Sequence, residues 1–276
     1  IRRPPRSTQG VSSAASDVYK RQILILAVIQ GITEFFPISS SAHLALFSKI
    51  SGHPDQGLTI DIFLHLGSLF AVLLYFYNDI RSMLSQCSNN ALLKNSLLVK
   101  IILATIPILV VGFFVYDSVE EYLRNPKIIA WMSIIFAIPL FYFDKKRDTQ
   151  NLLQNMPLSQ SLVIGLVQVL ALIPGVSRSG ITMTASRALG YSRADSAKFS
   201  ILLSLPTILG ASFLSINKVI DSGNLQLGLD SLVACTLSFI TSYLAITFLM
   251  RWLKKATFTP FVIYRILFGA ILLLWI

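Results

Sequence analysis

Residues 30–43 read QGITEFFPISSSAH and residues 174–182 read PGVSRSGIT, and both interrupt otherwise apolar sequence. The first closes the apolar run 23–36, whose 14 residues reach only about 21 Å as a helix against a hydrocarbon core of about 30 Å. That run then meets Pro37 and three serines. The second closes an equally short run, 161–173, and meets Pro174 and Gly175. A helix too short to cross, stopped by proline and restarted at serine, predicts a half-helix that enters a membrane, turns and leaves on the same side. Irregular backbone at that depth is tolerated only where protein or a polar cavity surrounds it.

Outward from these breaks, further apolar runs lie at roughly 38–50, 58–77, 97–116, 128–143, 181–190, 199–216, 229–250 and 261–276. The runs 58–77, 97–116, 199–216 and 229–250 are long enough to span, and 128–143 and 261–276 span with a few flanking residues. Composition agrees. Of 276 residues, 54% are hydrophobic and 13% charged, where soluble domains carry nearer a quarter, and mean hydropathy is +0.69. These values exclude a soluble enzyme, a disordered chain and a disulfide-stapled secreted domain. The net charge of +10 is not gathered into one basic domain, so it does not indicate a nucleic-acid partner. Cys87 and Cys235 form no CxxC and no disulfide framework. Residues 1–22, polar and rich in serine and arginine, are read as a non-native or flexible tail and kept out of the fold reading.

The chain repeats itself. Gln30 and Gln168 are 168 − 30 = 138 residues apart, and at that offset Ser39-Ser40-Ser41 falls on Ser177-Arg178-Ser179. Asn125-Pro126 precedes the last span of one half as Thr259-Pro260 precedes that of the other. The expected fold is an all-α integral membrane protein of two repeats, about 23–143 and 161–276. Each repeat is one re-entrant helix pair plus three transmembrane helices. Three is odd, so the second half is inverted, and the two breaks meet near the midplane. Loops on one side carry Arg81, Lys94, Lys145, Lys146, Arg147, Arg187, Arg193, Lys198, Arg251, Lys254 and Lys255; those on the other carry Lys49, Arg124, Lys127 and Lys218. Eleven against four, with the tail set aside, makes the first side cytoplasmic. The first re-entrant pair then opens from outside.

Polar groups at membrane depth are expensive and usually functional. The first pair holds Gln30, Glu34, Ser39, Ser40, Ser41 and His43; the second holds Gln168, Ser177, Arg178, Ser179 and Thr182. Gln30 and Glu34, four apart, share a helix face. Helix starts after the two breaks present free N–H groups to an anion. A planar guanidinium among hydroxyls completes a phosphate-shaped site. Glu34 and Arg178, 178 − 34 = 144 residues apart, are expected to lie roughly 5–10 Å from each other, with a cation and a phosphate between them. Other readings weigh against some of these residues. Glu34 and Arg178 could form a structural ion pair, Ser39 could serve mainly as a helix cap, and Gln168 is read as a cross-helix hydrogen bond. His65 is read as structural, and Asp61 is left unassigned.

The two segments resemble the two signatures of the bacterial undecaprenyl-diphosphate phosphatases of the bacitracin-resistance type, and PGVSRSGIT matches the second fully. The resemblance implies a multi-pass enzyme of the bacterial cytoplasmic membrane, with its site opening to the outer side. Such an enzyme removes the terminal phosphate of a C55 polyprenyl diphosphate, the lipid carrier of cell-wall synthesis, with a divalent cation, Mg²⁺ or Ca²⁺. It implies Glu34, Ser40, His43 and Arg178 as catalytic residues, with Arg178 the phosphate clamp, and Ser39, Ser41, Ser177, Ser179 and Thr182 as phosphate-binding residues. The cation falls to Glu34, with Gln30 as a second candidate ligand. The first acidic position of the motif, often Glu, is Gln30 here, which cannot bring the same charge to a metal. Ser40 activated by His43, His43 itself, or water remain open as the nucleophile. The expected partners are the polyprenyl diphosphate and membrane lipids; homo-oligomerisation is left open. The rival class is a secondary transporter or lipid flippase for an anionic substrate, because inverted repeats with broken helices are above all a transporter design.

Overall fold

Proline, serine and glycine set the helix boundaries. A computed structural model describes residues 6–51, 58–86, 96–123, 125–149, 153–221 and 229–276. Among these, every regular element is helical. Helix α1 (Arg6–Thr33) takes in residues 6–22 and the first apolar run as far as Thr33. After a turn over 34–38 and Ser39, the chain re-enters helix as α2 (Ser40–Ser51). Helix α3 (Leu58–Tyr75) bends by 73° at Phe76 into α4 (Tyr77–Ser85). Helix α5 (Leu97–Ser118) carries Pro107 in its interior. Asn125 caps α6 (Pro126–Ile135), its side chain accepting from Lys127 N at 2.9 Å with Pro126 in the first turn. After Phe136 the chain continues as α7 (Ala137–Asp144).

The second break is built like the first. Helix α8 (Leu158–Gln168) tightens into a 3₁₀ turn over Val169–Leu172 and stops at the proline–glycine pair. Gly175 has φ 94°, and an added Cβ would sit 2.4 Å from Ile129 O, so only glycine fits there. Ser177 caps α9 (Arg178–Ala188) by accepting from Gly180 N at 3.1 Å. Helices α10 (Arg193–Asp221, with Pro206 inside), α11 (Leu229–Trp252) and α12 (Thr259–Trp275) follow.

Among the described residues, four helical segments are long and apolar enough to cross a membrane, and α3 with α4 makes a fifth if the bent pair is one span. Large apolar side chains face outward along these segments, with Phe114 78% and Leu244 61% exposed. That surface suits lipid and not water. The chain is a multi-pass membrane protein. Lipid is as apolar as leucine, so helix association rests on close packing and polar contacts between small residues. The α3–α11 interface, the most extensive in the fold, is of this kind. A Cβ on Gly67 would meet Cys235 O at 2.2 Å. Beside it, Ser242 donates to Ser68 Oγ at 2.9 Å and Ser238 to Leu64 O at 2.6 Å. Cys87, Lys94 and Arg124 lie outside the described residues.

Candidate active site

The two breaks come together. Ser39 (φ 74°) and Ser177 (φ 73°) hold left-handed backbone, which is uncommon without glycine and costs roughly 1–3 kcal/mol where it persists. Each immediately precedes a helix start, and in each the next-but-one serine lies beside it. Ser39 Oγ is 3.4 Å from Ser41 Oγ, and Ser177 Oγ is 3.1 Å from Ser179 Oγ. Ser179 also donates to Phe36 O at 2.7 Å, tying the second break to the first. A cavity of about 300 Å³ opens above them. Its wall includes Glu34, Ser39, Ser40, Ser41, Ser177, Arg178 and Ser179 from the breaks, Asp61, Ile62 and His65 from α3, Ile108 from α5, and Thr207, Ile208, Ala211, Ser212 and Ser215 from α10.

Glu34 is the hub. Its Oε1 accepts from Arg178 Nη2 at 2.7 Å, and its Oε2 accepts from Ser40 Oγ at 2.6 Å and Gln30 Nε2 at 3.1 Å. Arg178 Nη1 donates to Ser200 O at 2.9 Å, so the guanidinium is held at two corners. The expected gap of roughly 5–10 Å between Glu34 and Arg178 is therefore corrected to direct contact. The physical reason is charge: two opposite, largely buried charges close on each other unless something charged stands between them.

His43 is placed elsewhere. Its ring stacks on Phe268 at 4.6 Å between centroids, its Nδ1 meets Ser39 O at 2.7 Å and its Nε2 meets Tyr264 Oη at 2.6 Å. His43 itself is not on the cavity wall, both its nitrogens are engaged, and Ser40 pairs with Glu34 instead of His43. The histidine on the wall is His65, with Nε2 3.9 Å from Glu34 Oε2. Its Nδ1 lies 2.7 Å from Asp61 O. A carbonyl only accepts, so Nδ1 carries a proton and Nε2 is the nitrogen turned to Glu34. The sequence signal for His65 was its place on α3 one turn after Asp61. Nothing local told which helix face would meet the breaks.

Thr182 lies behind the cavity. It is fully buried, donates to Arg178 O at 2.8 Å and pairs with Ser200 Oγ at 2.7 Å, so it steadies the Arg178 segment from below. Gln30 is buried behind Glu34, and Gln168 donates to Ala104 O at 3.3 Å, the cross-helix bond expected of it.

Among the described residues, no group of three His, Cys, Asp or Glu side chains is placed to hold a metal ion. The carboxylates on the wall are those of Glu34 and Asp61, and Gln30 Oε1 is buried behind them without a partner. Mg²⁺ and Ca²⁺ take oxygen ligands, and Mg²⁺ commonly rests on one or two carboxylates plus substrate phosphates. This oxygen set fits a cation that arrives with a diphosphate; it is not a closed protein cage.

Comparison with known proteins identifies the family. The family model described as bacitracin resistance protein BacA matches residues 23–271. The chain is 45% identical over 268 residues to an undecaprenyl-diphosphatase of Alcanivorax borkumensis, covering 92% of this chain and 98% of that one. It is 43% identical over 260 residues to an undecaprenyl-diphosphatase of Chromohalobacter salexigens, with the same coverage. An undecaprenyl-diphosphatase of Roseobacter denitrificans is 39% identical over 259 residues, covering 92% of this chain and 97% of that one. With most of its length matched and both breaks inside the match, the chain belongs to the bacitracin resistance protein BacA family.

Proposed function

We propose that this protein hydrolyses undecaprenyl diphosphate to undecaprenyl phosphate and inorganic phosphate, recycling the lipid carrier of cell-wall synthesis. One observation carries the reading: Glu34 and Ser40 from one break and Arg178 from the other converge on one cavity. Hydrolysis of a phosphoanhydride is governed by positioning and charge neutralisation. Arg178, anchored on Ser200 O, turns Nη2 from Glu34 to the terminal phosphate. The hydroxyls of Ser39, Ser41, Ser177 and Ser179 and the two helix starts surround that phosphate. Ser40 Oγ, freed of its proton by Glu34 Oε2, attacks the terminal phosphorus. The anhydride P–O bond breaks and undecaprenyl phosphate leaves with the electron pair. Water then gives its hydroxyl to phosphorus and its proton to Ser40, releasing inorganic phosphate, while the proton on Glu34 leaves with the products. His65 Nε2 orients that water. When a Mg²⁺ or Ca²⁺ ion is bound, Glu34 would hold it, with Asp61 on the same wall and Gln30 Oε1 as further oxygen donors, and it would supply charge neutralisation.

The fold supports an inverted repeat with two re-entrant pairs. Ser39 and Ser177, with matching left-handed backbone, stand 177 − 39 = 138 residues apart. Helix α1 packs on α11 of the other half, and α8 packs on α5 of the first. Each half also has a glycine in close cross-helix approach to the other half, Gly31 against Thr241 and Gly165 against Ala104. The cavity wall also supports an outer-facing site in the cytoplasmic membrane. It uses the first half of α3 and the second halves of α5 and α10. Those ends lie away from the basic loops carrying Lys145, Lys146, Arg147, Lys254 and Lys255.

Phosphate release in detergent micelles tests the reading, because no second compartment exists there for a transporter to fill. Steady release from undecaprenyl diphosphate by the purified protein is expected. Binding of the lipid with no release over many turnover times would favour a carrier.

A further inference from the structure

Arg265 lies in α12, inside an apolar stretch, with no exposed surface. A buried cation at membrane depth is costly and calls for a partner. Among the described residues, Arg265 has no carboxylate partner; its partners are backbone carbonyls. Nε donates to Ser133 O at 3.1 Å, Nη2 to Met132 O at 3.3 Å and to Gly175 O at 3.0 Å, and Nη1 reaches Pro37 O at 3.5 Å. Met132 and Ser133 belong to the last turn of α6, on the negative side of its dipole, and Met132 O accepts from Phe136 N at 3.1 Å as well as from Arg265. Pro37 and Gly175 each stand two residues before a left-handed serine, Ser39 and Ser177. Gly180 leaves the room this needs: a Cβ there would lie 2.8 Å from Arg265 Nη1.

We infer that Arg265 is a positioning residue for hydrolysis. It acts through the two break segments, fixing their carbonyls on one rigid fork and so fixing Ser40 relative to Arg178. The inference rests on the phosphatase reading above. Only a planar guanidinium spans the three acceptor segments; an ammonium keeps the charge but gathers its donors at one point. Displacement of about 1 Å between reacting groups costs roughly 100-fold in rate, so a loosened fork lowers turnover while the diphosphate still binds.

The experiment compares wild type, Arg265→Lys and Gly180→Ala, purified in detergent, by kcat, KM and thermal unfolding. Gly180→Ala keeps the Arg265 charge and pushes a methyl group into the guanidinium. Both variants are expected to fold, to lose kcat by roughly 100-fold and to change KM little. Lysine should not rescue. Wild-type kcat in either folded variant overturns the inference, as does a loss that tracks only the unfolded fraction. If Arg265→Lys does not fold, Gly180→Ala decides; if neither folds, Arg265 is a structural staple and the inference fails. Absence of phosphate release from the wild type would instead remove the phosphatase reading beneath it.

Discussion

Replacing Arg178 by lysine keeps a positive charge in the cavity and removes its shape. The wild-type guanidinium makes two directed bonds, Nη2 to Glu34 at 2.7 Å and Nη1 to Ser200 O at 2.9 Å. An ammonium on a four-carbon stem reaches one of these positions at a time and offers no parallel pair of donors to a phosphate. Hydrogen bonds to charged groups contribute roughly 1.5–3 kcal/mol each, and one that strengthens on the transition state in a dry site contributes about 2–4 kcal/mol. That loss corresponds to a drop of about 30- to 1,000-fold in kcat/KM. The assay is the initial rate of phosphate release from undecaprenyl diphosphate in micelles, with thermal unfolding as the control for folding. Because Glu34 and Arg178 touch, Glu34→Gln and Arg178→Lys should couple, the double variant losing less than the sum of the singles. Near-normal turnover in a folded Arg178→Lys protein would refute the clamp and leave Arg178 and Glu34 a structural ion pair.

Three further outcomes follow from the geometry. Ser40→Ala should abolish turnover, and acid quenching of the wild type during turnover should trap phosphoserine at Ser40 by mass spectrometry; turnover in the alanine variant would return the attack to water. His65→Gln should lower kcat by about 100-fold, the low end for a lost acid–base group, and by more than His43→Gln does. The reverse order would restore His43 to the chemistry. Gly67→Ala should destabilise the α3–α11 contact by roughly 1–3 kcal/mol, read as a lower unfolding temperature, because its Cβ would meet Cys235 O at 2.2 Å. An unchanged unfolding temperature would mean the two helices are not so tightly apposed.

Local chemistry was legible in the sequence wherever one residue type carries its own backbone instruction. Pro37, Pro174 and Gly175 announce the breaks, and serine after each break announces a helix start. Glu34 and Arg178 announce themselves by charge in an apolar run. What depends on the angle at which helices meet was not legible. His43 is three residues after Ser40, yet α2 turns its ring toward Tyr264 and Phe268 of α12. His65 reaches Glu34 from α3, whose seat is set by Gly67 against α11. The separation of Glu34 and Arg178 turned on whether the charges close on each other, which spacing along the chain does not encode. The bend at Phe76 carries neither proline nor glycine to mark it. Arg265 did leave a signal, a lone cation in the apolar run 261–276, but no motif to say which carbonyls it gathers.

The most direct measurement is an experimental structure of the protein with a non-hydrolysable methylene-diphosphonate analogue of the prenyl diphosphate. The terminal phosphonate should lie on Arg178 Nη2 and the α9 helix start, with Ser40 Oγ in line with the terminal phosphorus and Glu34 no longer in contact with the guanidinium. A diphosphonate seated on the basic face around Lys145, Lys146 and Arg147, with the Glu34–Arg178 contact intact at 2.7 Å, would contradict the assignment.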